Sequence, residues 1–202
     1  MKENEKQDYD IVINGAMQLI PYVGSSLATL YFGRKQEKRF KKLEQTIKEL
    51  AQELQGIKLP SIKLHNQEEL LSLVEQLNDK IENEYIEQKR LLYKNFYKKI
   101  LISPNINNYD ERKMFLDILE KLTPLQLELL TYLIQQTQPT VDISIEHPKY
   151  PQATILGSLA QLKNYGLIKG FVNSISIGGT GGIQENIVVS DFGRSFHNFC
   201  IL

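Results

Sequence analysis

An uncharged run from Ile11 to Gly33, closed at once by a dense basic cluster, is the feature that most limits the folds open to this chain. Its length suits a bilayer span, which needs about 20 predominantly apolar residues. Its composition argues for something less regular. Asn14, Gln18, Ser25 and Ser26 interrupt the apolar residues, and Pro21 with Gly24 breaks a straight helix into two short arms. The expectation is a hydrophobic hairpin over residues 1–33. Ile13, Leu19, Ile20, Tyr22 and Val23 lie before and around its turn, and Leu27, Leu30 and Phe32 lie after it. Such a hairpin serves either as core or oligomer contact, or as an element that enters lipid.

The basic cluster keeps both uses open. Residues 34–42 hold Arg34, Lys35, Lys38, Arg39, Lys41 and Lys42 against one acid, Glu37. Beside a buried hairpin these are a solvated face; beside an inserted one they hold anionic headgroups.

Helical periodicity dominates the next stretch, taken as residues 34–122. Phe40, Leu43, Ile47, Leu50 and Leu54 recur at steps of three and four, a coiled-coil-like stripe suited to a helix of the same chain or of a second copy. Gly56 and Pro60 interrupt it. Asn66 then reads as an N-cap with Glu68 and Glu69 in the first turn. Leu70, Val74, Leu77, Ile81 and Tyr85 form one apolar face, and the pattern runs through "IEQKRLLYKNFYKKIL" to "SPN", as one long helix or two. Another helix is expected over Asp110–Leu122.

The texture changes at Thr123, which reads as an N-cap with Pro124 at the first helical position. Residues 123–202 follow the order helix, helix, strand, glycine-rich loop, strand, helix, which is winged-helix order. Leu156, Leu159 and Leu162 supply a helix face. Val172, Ile175 and Ile177 are set against Ile187, Val188 and Val189 as β-branched strands, and Ser190 caps a closing helix bearing Phe192, Phe196 and Phe199. The expected fold is mainly α: an N-terminal helical hairpin, long helices, and a C-terminal winged-helix (α+β) module.

Chemistry is harder to find. "GGTGG", Gly178–Gly182, has no following Lys-Ser or Lys-Thr and joins two strands, so it does not match a phosphate loop. "YVGSSLA" lacks the second glycine of a nucleophile elbow. His65, His147 and His197 lie far apart in sequence, and none is read as a ligand pair with another His or with the single Cys200, so no metal, cofactor or catalytic residue is assigned. Cys200 reads as a small buried hydrophobe. The start "MKENEKQDYD" carries more acid than base, unlike a secretory signal, so a cytoplasmic chain is expected, peripheral at the inner membrane face if the hairpin binds lipid.

Nucleic acid is weighed on two features. "QKRLLYKNFYKK" interleaves basic and aromatic residues as single-strand binders do, but helical spacing puts Leu92, Phe96 and Ile100 on one buried face and Lys94 and Lys98 on a solvated basic edge. The winged module would read DNA through Thr154, Ser158, Gln161 and Lys163, with a wing of Gly179, Thr180 and Gly181. The whole chain has a net charge of +0, and four basic residues from Pro139 onward meet four acids, which is poor provision for phosphate contact.

The order "IPYVGSSLATL", a basic helix, "EQKRLLYKNFYKKILISPN", "FLDILEKLTPLQLELLTYL", "LAQLKNYGLIKG" and "VVSDFGRSFHNFCI" resembles a widespread bacterial family with a helical N-terminal region and a C-terminal winged helix. It is similar, more distantly, to abortive-infection-associated proteins. The resemblance implies a cytosolic bacterial protein linked to antiphage defence, with no catalytic residues to carry over. The leading expectation is a non-enzymatic binding or adaptor protein acting through a protein partner or self-association, with no small-molecule substrate. A membrane-active effector inserting residues 11–33 at an anionic surface is the alternative, and a DNA-binding regulator the second.

Overall fold

A computed structural model describes residues 34–55, 57, 67–103, 109–175 and 183–202. The expected hairpin of residues 1–33 and the tip at 176–182 lie outside the described residues. The chain is mainly helical, with seven α-helices and a small three-stranded antiparallel sheet among the described residues. It divides into two compact units at Leu116/Asp117, inside a helix and ahead of the boundary expected at Leu122.

The first unit is built from α1 (Arg34–Glu53), α2 (Gln67–Asn83), α3 (Glu87–Ile102) and the first part of α4 (Tyr109–Lys121). α1 packs on α2 and α3 of its own chain, so the stripe of Leu43, Ile47, Leu50 and Leu54 is core here. It meets Leu70, Leu73, Val74, Leu77 and Ile81 of α2 and Leu92, Tyr93, Phe96, Tyr97 and Ile100 of α3, all buried. Tyr85 is a correction: it leaves the α2 face and is 69% exposed, because the helix ends before it. The break falls at Glu84–Ile86 with neither Gly nor Pro. Glu84 holds the corner instead. Its Oε1 accepts from the backbone N–H groups of Tyr85 (2.8 Å) and Ile86 (2.9 Å), its Oε2 lies 3.5 Å from buried Lys89, and its backbone carbonyl accepts from Lys42 Nζ at 3.0 Å.

The second unit takes the rest of α4, then α5 (Pro124–Gln135), β1 (Thr140–Val141), a 3-10 turn (Asp142–Ser144), α6 (Gln152–Asn164), β2 (Ile168–Ile175), β3 (Ile183–Val189) and α7 (Asp191–Cys200). The sheet order is β1-β3-β2, with Thr140 opposite Ile187 and Ile168 opposite Val189. A register shift between Val172 and Ser174 marks a bulge in β2. α5 begins as its sequence predicts: Thr123 Oγ1 accepts from Gln126 N–H (3.3 Å), and Gln126 Oε1 accepts from Thr123 N–H (2.9 Å), a reciprocal capping box.

The core of this unit gathers Leu127, Leu130 and Leu133 of α5, Ile155, Leu159 and Leu162 of α6, Ile168, Ile187 and Val189 of the strands, and Phe196 of α7. One residue of the expected α6 face moves outward, and one expected strand residue is open to solvent. Ile155 takes the inner position assigned to Leu156, which is half-buried, and Val172 is 59% exposed.

A backbone knot closes the unit. Gly166 ends α6 with φ 71°, a left-handed conformation suited to glycine. Ser190 Oγ donates to the carbonyls of Gly166 (2.5 Å) and Leu167 (3.1 Å) and accepts from Gly193 N–H at 2.9 Å. Ser190 therefore caps α7 and ties it to the turn after α6. Asp142 pins the other side of the sheet: its Oδ1 accepts from the N–H groups of Ile143 (2.8 Å) and Glu185 (3.2 Å).

Candidate functional site

α6 carries the residues expected to form a recognition surface. Thr154 and Gln161 are exposed. Ser158 is buried, which removes it from that surface: it falls on the same inward helical face as Ile155, Leu159 and Leu162. Lys163 is half-buried and ion-paired to Glu185 of β3, across the strands that follow α6. Gly179, Thr180 and Gly181 lie outside the described residues. The one cation of α6 is therefore already matched by a carboxylate, and no row of free positive charge runs along the helix.

Beside it, β2 leaves apolar side chains in solvent. Phe171 is 57% exposed and Val172 59%. Neighbouring strand residues point to opposite faces, so both faces of the strand are open at this point. The sequence places Val172 in a strand without assigning it a face, and does not single out Phe171. The signal available was weak, since "KGFVNS" lacks clean alternation.

The basic cluster of α1 divides. Lys41 is exposed, whereas Lys42 Nζ lies 4.2 Å from the centre of the Tyr85 ring as well as donating to Glu84 O. Arg39 is half-buried, and its Nε is buried with no hydrogen-bond partner among the described residues. The side chains of Arg34, Lys35 and Lys38, like the segment that holds Ile13 and Phe32, lie outside the described residues. Among the described residues, no helix is long and apolar enough to cross a membrane.

α3 settles the aromatic and basic stretch. Tyr93, Phe96 and Tyr97 are buried, so they offer no stacking platform. Burial pushes the Tyr97 hydroxyl well above its ordinary range. The basic edge, expected to be solvated, is paired: Lys94 Nζ reaches Glu49 (3.1 Å) and Glu53 (2.9 Å), and Lys98 Nζ reaches Glu53 (2.9 Å). Hydrogen bonds from Gln45 and then Lys94 hold Glu49 below the usual carboxylate range, and bonds from Lys94 and Lys98 do the same for Glu53. Burial alone would lower the Lys94 pKa, but its bonds to Glu53 and Glu49 raise it.

The sign of the pH response follows. A carboxylate with a lowered folded pKa gives stability that is present above its ordinary value of 4.5 and lost as pH falls through the lowered one. The raised Lys94 gives stability that is present below 10.5 and lost as pH rises through its folded value. Because the carboxylates are partly exposed, the network contributes about 1 kcal/mol or less. Urea midpoints followed by circular dichroism across pH should show an acid limb below about 4.5. That limb should be shallower in Glu53→Gln, and an identical limb in the variant would refute the assignment.

Comparison with protein-family models, with curated proteins and with solved structures returned no match. Among the described residues, no group of three His, Cys, Asp or Glu side chains is placed to hold a metal ion. Cys200 is buried, as expected, and His197 Nε2 lies 3.4 Å from Thr131 Oγ1 inside the second unit.

Proposed function

We propose that residues 117–202 form a winged-helix module that binds protein, and that the chain acts as a non-enzymatic adaptor. The supporting observation is the surface around α6 and β2, where Lys163 is neutralised by Glu185 while Phe171 and Val172 stand in solvent. Phosphate contacts supply much of the affinity of duplex-DNA readers, and this surface provides little for them. Exposed aromatic and β-branched side chains are what a protein partner covers. The sheet order β1-β3-β2, with α6 leading directly into the β2–β3 hairpin, supports the winged-helix reading.

The experiment compares the full chain with Phe171→Glu and Val172→Glu in pulldowns from infected and uninfected bacterial cells, alongside duplex-DNA retention at low ionic strength. A partner held by the unaltered chain and lost in both variants is the expected result. Salt-sensitive DNA retention, or no partner at all, would overturn the reading. The setting we propose, on the sequence resemblance alone, is antiphage defence, and unchanged plaque counts on deletion of the protein would remove it.

A further inference from the structure

A cleft of about 390 Å³ opens between α1 and α3 in the first unit. Its lining holds four cationic side chains, Lys41, Lys42, Arg90 and Lys94, and two carboxylates, Glu49 and Glu87. Helical spacing brings them together: Lys41, Lys42, Gln45 and Glu49 share one side of α1, and Glu87, Arg90, Leu91 and Lys94 share the facing side of α3.

Two of the cations are less exposed than the acids that pair with them. The Lys94 side chain is 12% exposed and is fixed by Glu53 as well as by Glu49. Lys42 is anchored by Glu84 O and the Tyr85 ring. Arg90 is 21% exposed and ion-pairs with Glu87, whose side chain is 73% exposed one turn away on the same helix. Arg90 and Lys94 are thus partly desolvated, while the lining carboxylates that pair with them, Glu87 and Glu49, stand more open to solvent. Charge-assisted hydrogen bonds from Arg and Lys to phosphate oxygens are among the stronger polar contacts. The volume exceeds what a single water or small ion fills and falls in the range of ligand clefts.

We propose that this cleft binds a phosphate-bearing anion, with Arg90, Lys94 and Lys42 contacting phosphate oxygens and Glu87 acting as an internal competitor for Arg90. The anion is either a soluble oligophosphate or the headgroup of an acidic phospholipid, and both present the same chemistry to these side chains.

Calorimetric titration of the full chain with inorganic pyrophosphate is the first arm, against sulfate at equal ionic strength. Co-sedimentation with phosphatidylcholine vesicles with and without phosphatidic acid is the second. The expected result is saturable binding in one arm that weakens roughly tenfold or more in Lys42→Gln/Arg90→Gln, as the loss of charge-assisted contacts implies. Glu87→Gln should tighten the same binding several-fold, because Arg90 is then released to the ligand. A purely structural ion pair would not produce that gain. Pyrophosphate binding identifies a soluble ligand; phosphatidate binding without it, sensitive to the double variant, identifies the headgroup. Absence of binding in both arms overturns the proposal, as does vesicle binding that survives the double variant. If the double variant fails to fold, an unchanged affinity in Glu87→Gln overturns it alone.

Discussion

Gly193→Ala is expected to be the most damaging single-methyl change in the described residues, with a loss of about 3 kcal/mol or more of stability. Gly193 sits in the first turn of α7, against the backbone of the residue that follows the α6 turn. A Cβ there would overlap the Leu167 carbonyl oxygen, with the carbonyl carbon 2.8 Å and the Cα 3.1 Å away. None of these atoms belongs to a flexible side chain, so relief requires moving α7 or the start of β2. Either motion strains the Ser190 contacts to Gly166, Leu167 and Gly193 at once. The measurement is urea unfolding followed by circular dichroism, with Gly157→Ala as control, since a Cβ at that exposed helical position meets nothing within 4 Å. The control should be neutral or slightly stabilising, because alanine is the better helix former. Equal behaviour of the two variants would show that α7 does not lie on the Leu167 backbone.

Asn78→Leu is expected to change stability in the other direction. Asn78 is 6% exposed on α2, and both its amide oxygen and its amide nitrogen are buried with no partner among the described residues. It stands beside Leu77 and one turn from Val74 and Ile81, the face that builds the core of the first unit. Burying an amide without hydrogen bonds costs about 1 to 3 kcal/mol. Leucine has the same branched shape at Cγ, so the penalty should be removed without opening a cavity, and a gain of about 1 to 3 kcal/mol is expected. Asn78→Ala separates the two effects, since it removes the amide but leaves a void. A clear loss in the leucine variant would mean that the amide is satisfied by groups outside the described residues, and that its polarity is used.

What could be read from the sequence was local. Thr123 with Pro124, and Ser190 before "DFGRSF", are caps whose donors and acceptors lie within three residues of each other, and both form as the spacing implies. The faces of α1 and α2 were legible because burial follows the 3.6-residue period. The end of α2 was not, because its cause is a carboxylate bonding two backbone N–H groups, with no helix breaker in sight. The Lys94 and Lys98 pairs were equally hidden, since their partners lie 45 residues back along the chain. Ser158 was misplaced for a related reason: a small hydroxyl residue among apolar ones is compatible with either helix face. The α1–α3 cleft is not legible in the sequence because its cations belong to two segments more than 40 residues apart, Lys41 and Lys42 on α1 and Arg90 and Lys94 on α3, which only the fold brings together.

The bulge in β2 also shortens the regular edge that this strand offers to an incoming strand. The sheet stops at β2 among the described residues, and an open strand edge is a template on which another chain can add by hydrogen bonding. The template is regular only from Ile168 to Val172, because the register shift before Ser174 takes the following residue out of step. Lys169 lies within the regular half and places a charge where an incoming strand would run. At the β2 edge, strand addition would therefore meet a short regular segment carrying its own charged gatekeeper, even though that same segment displays Phe171 and Val172.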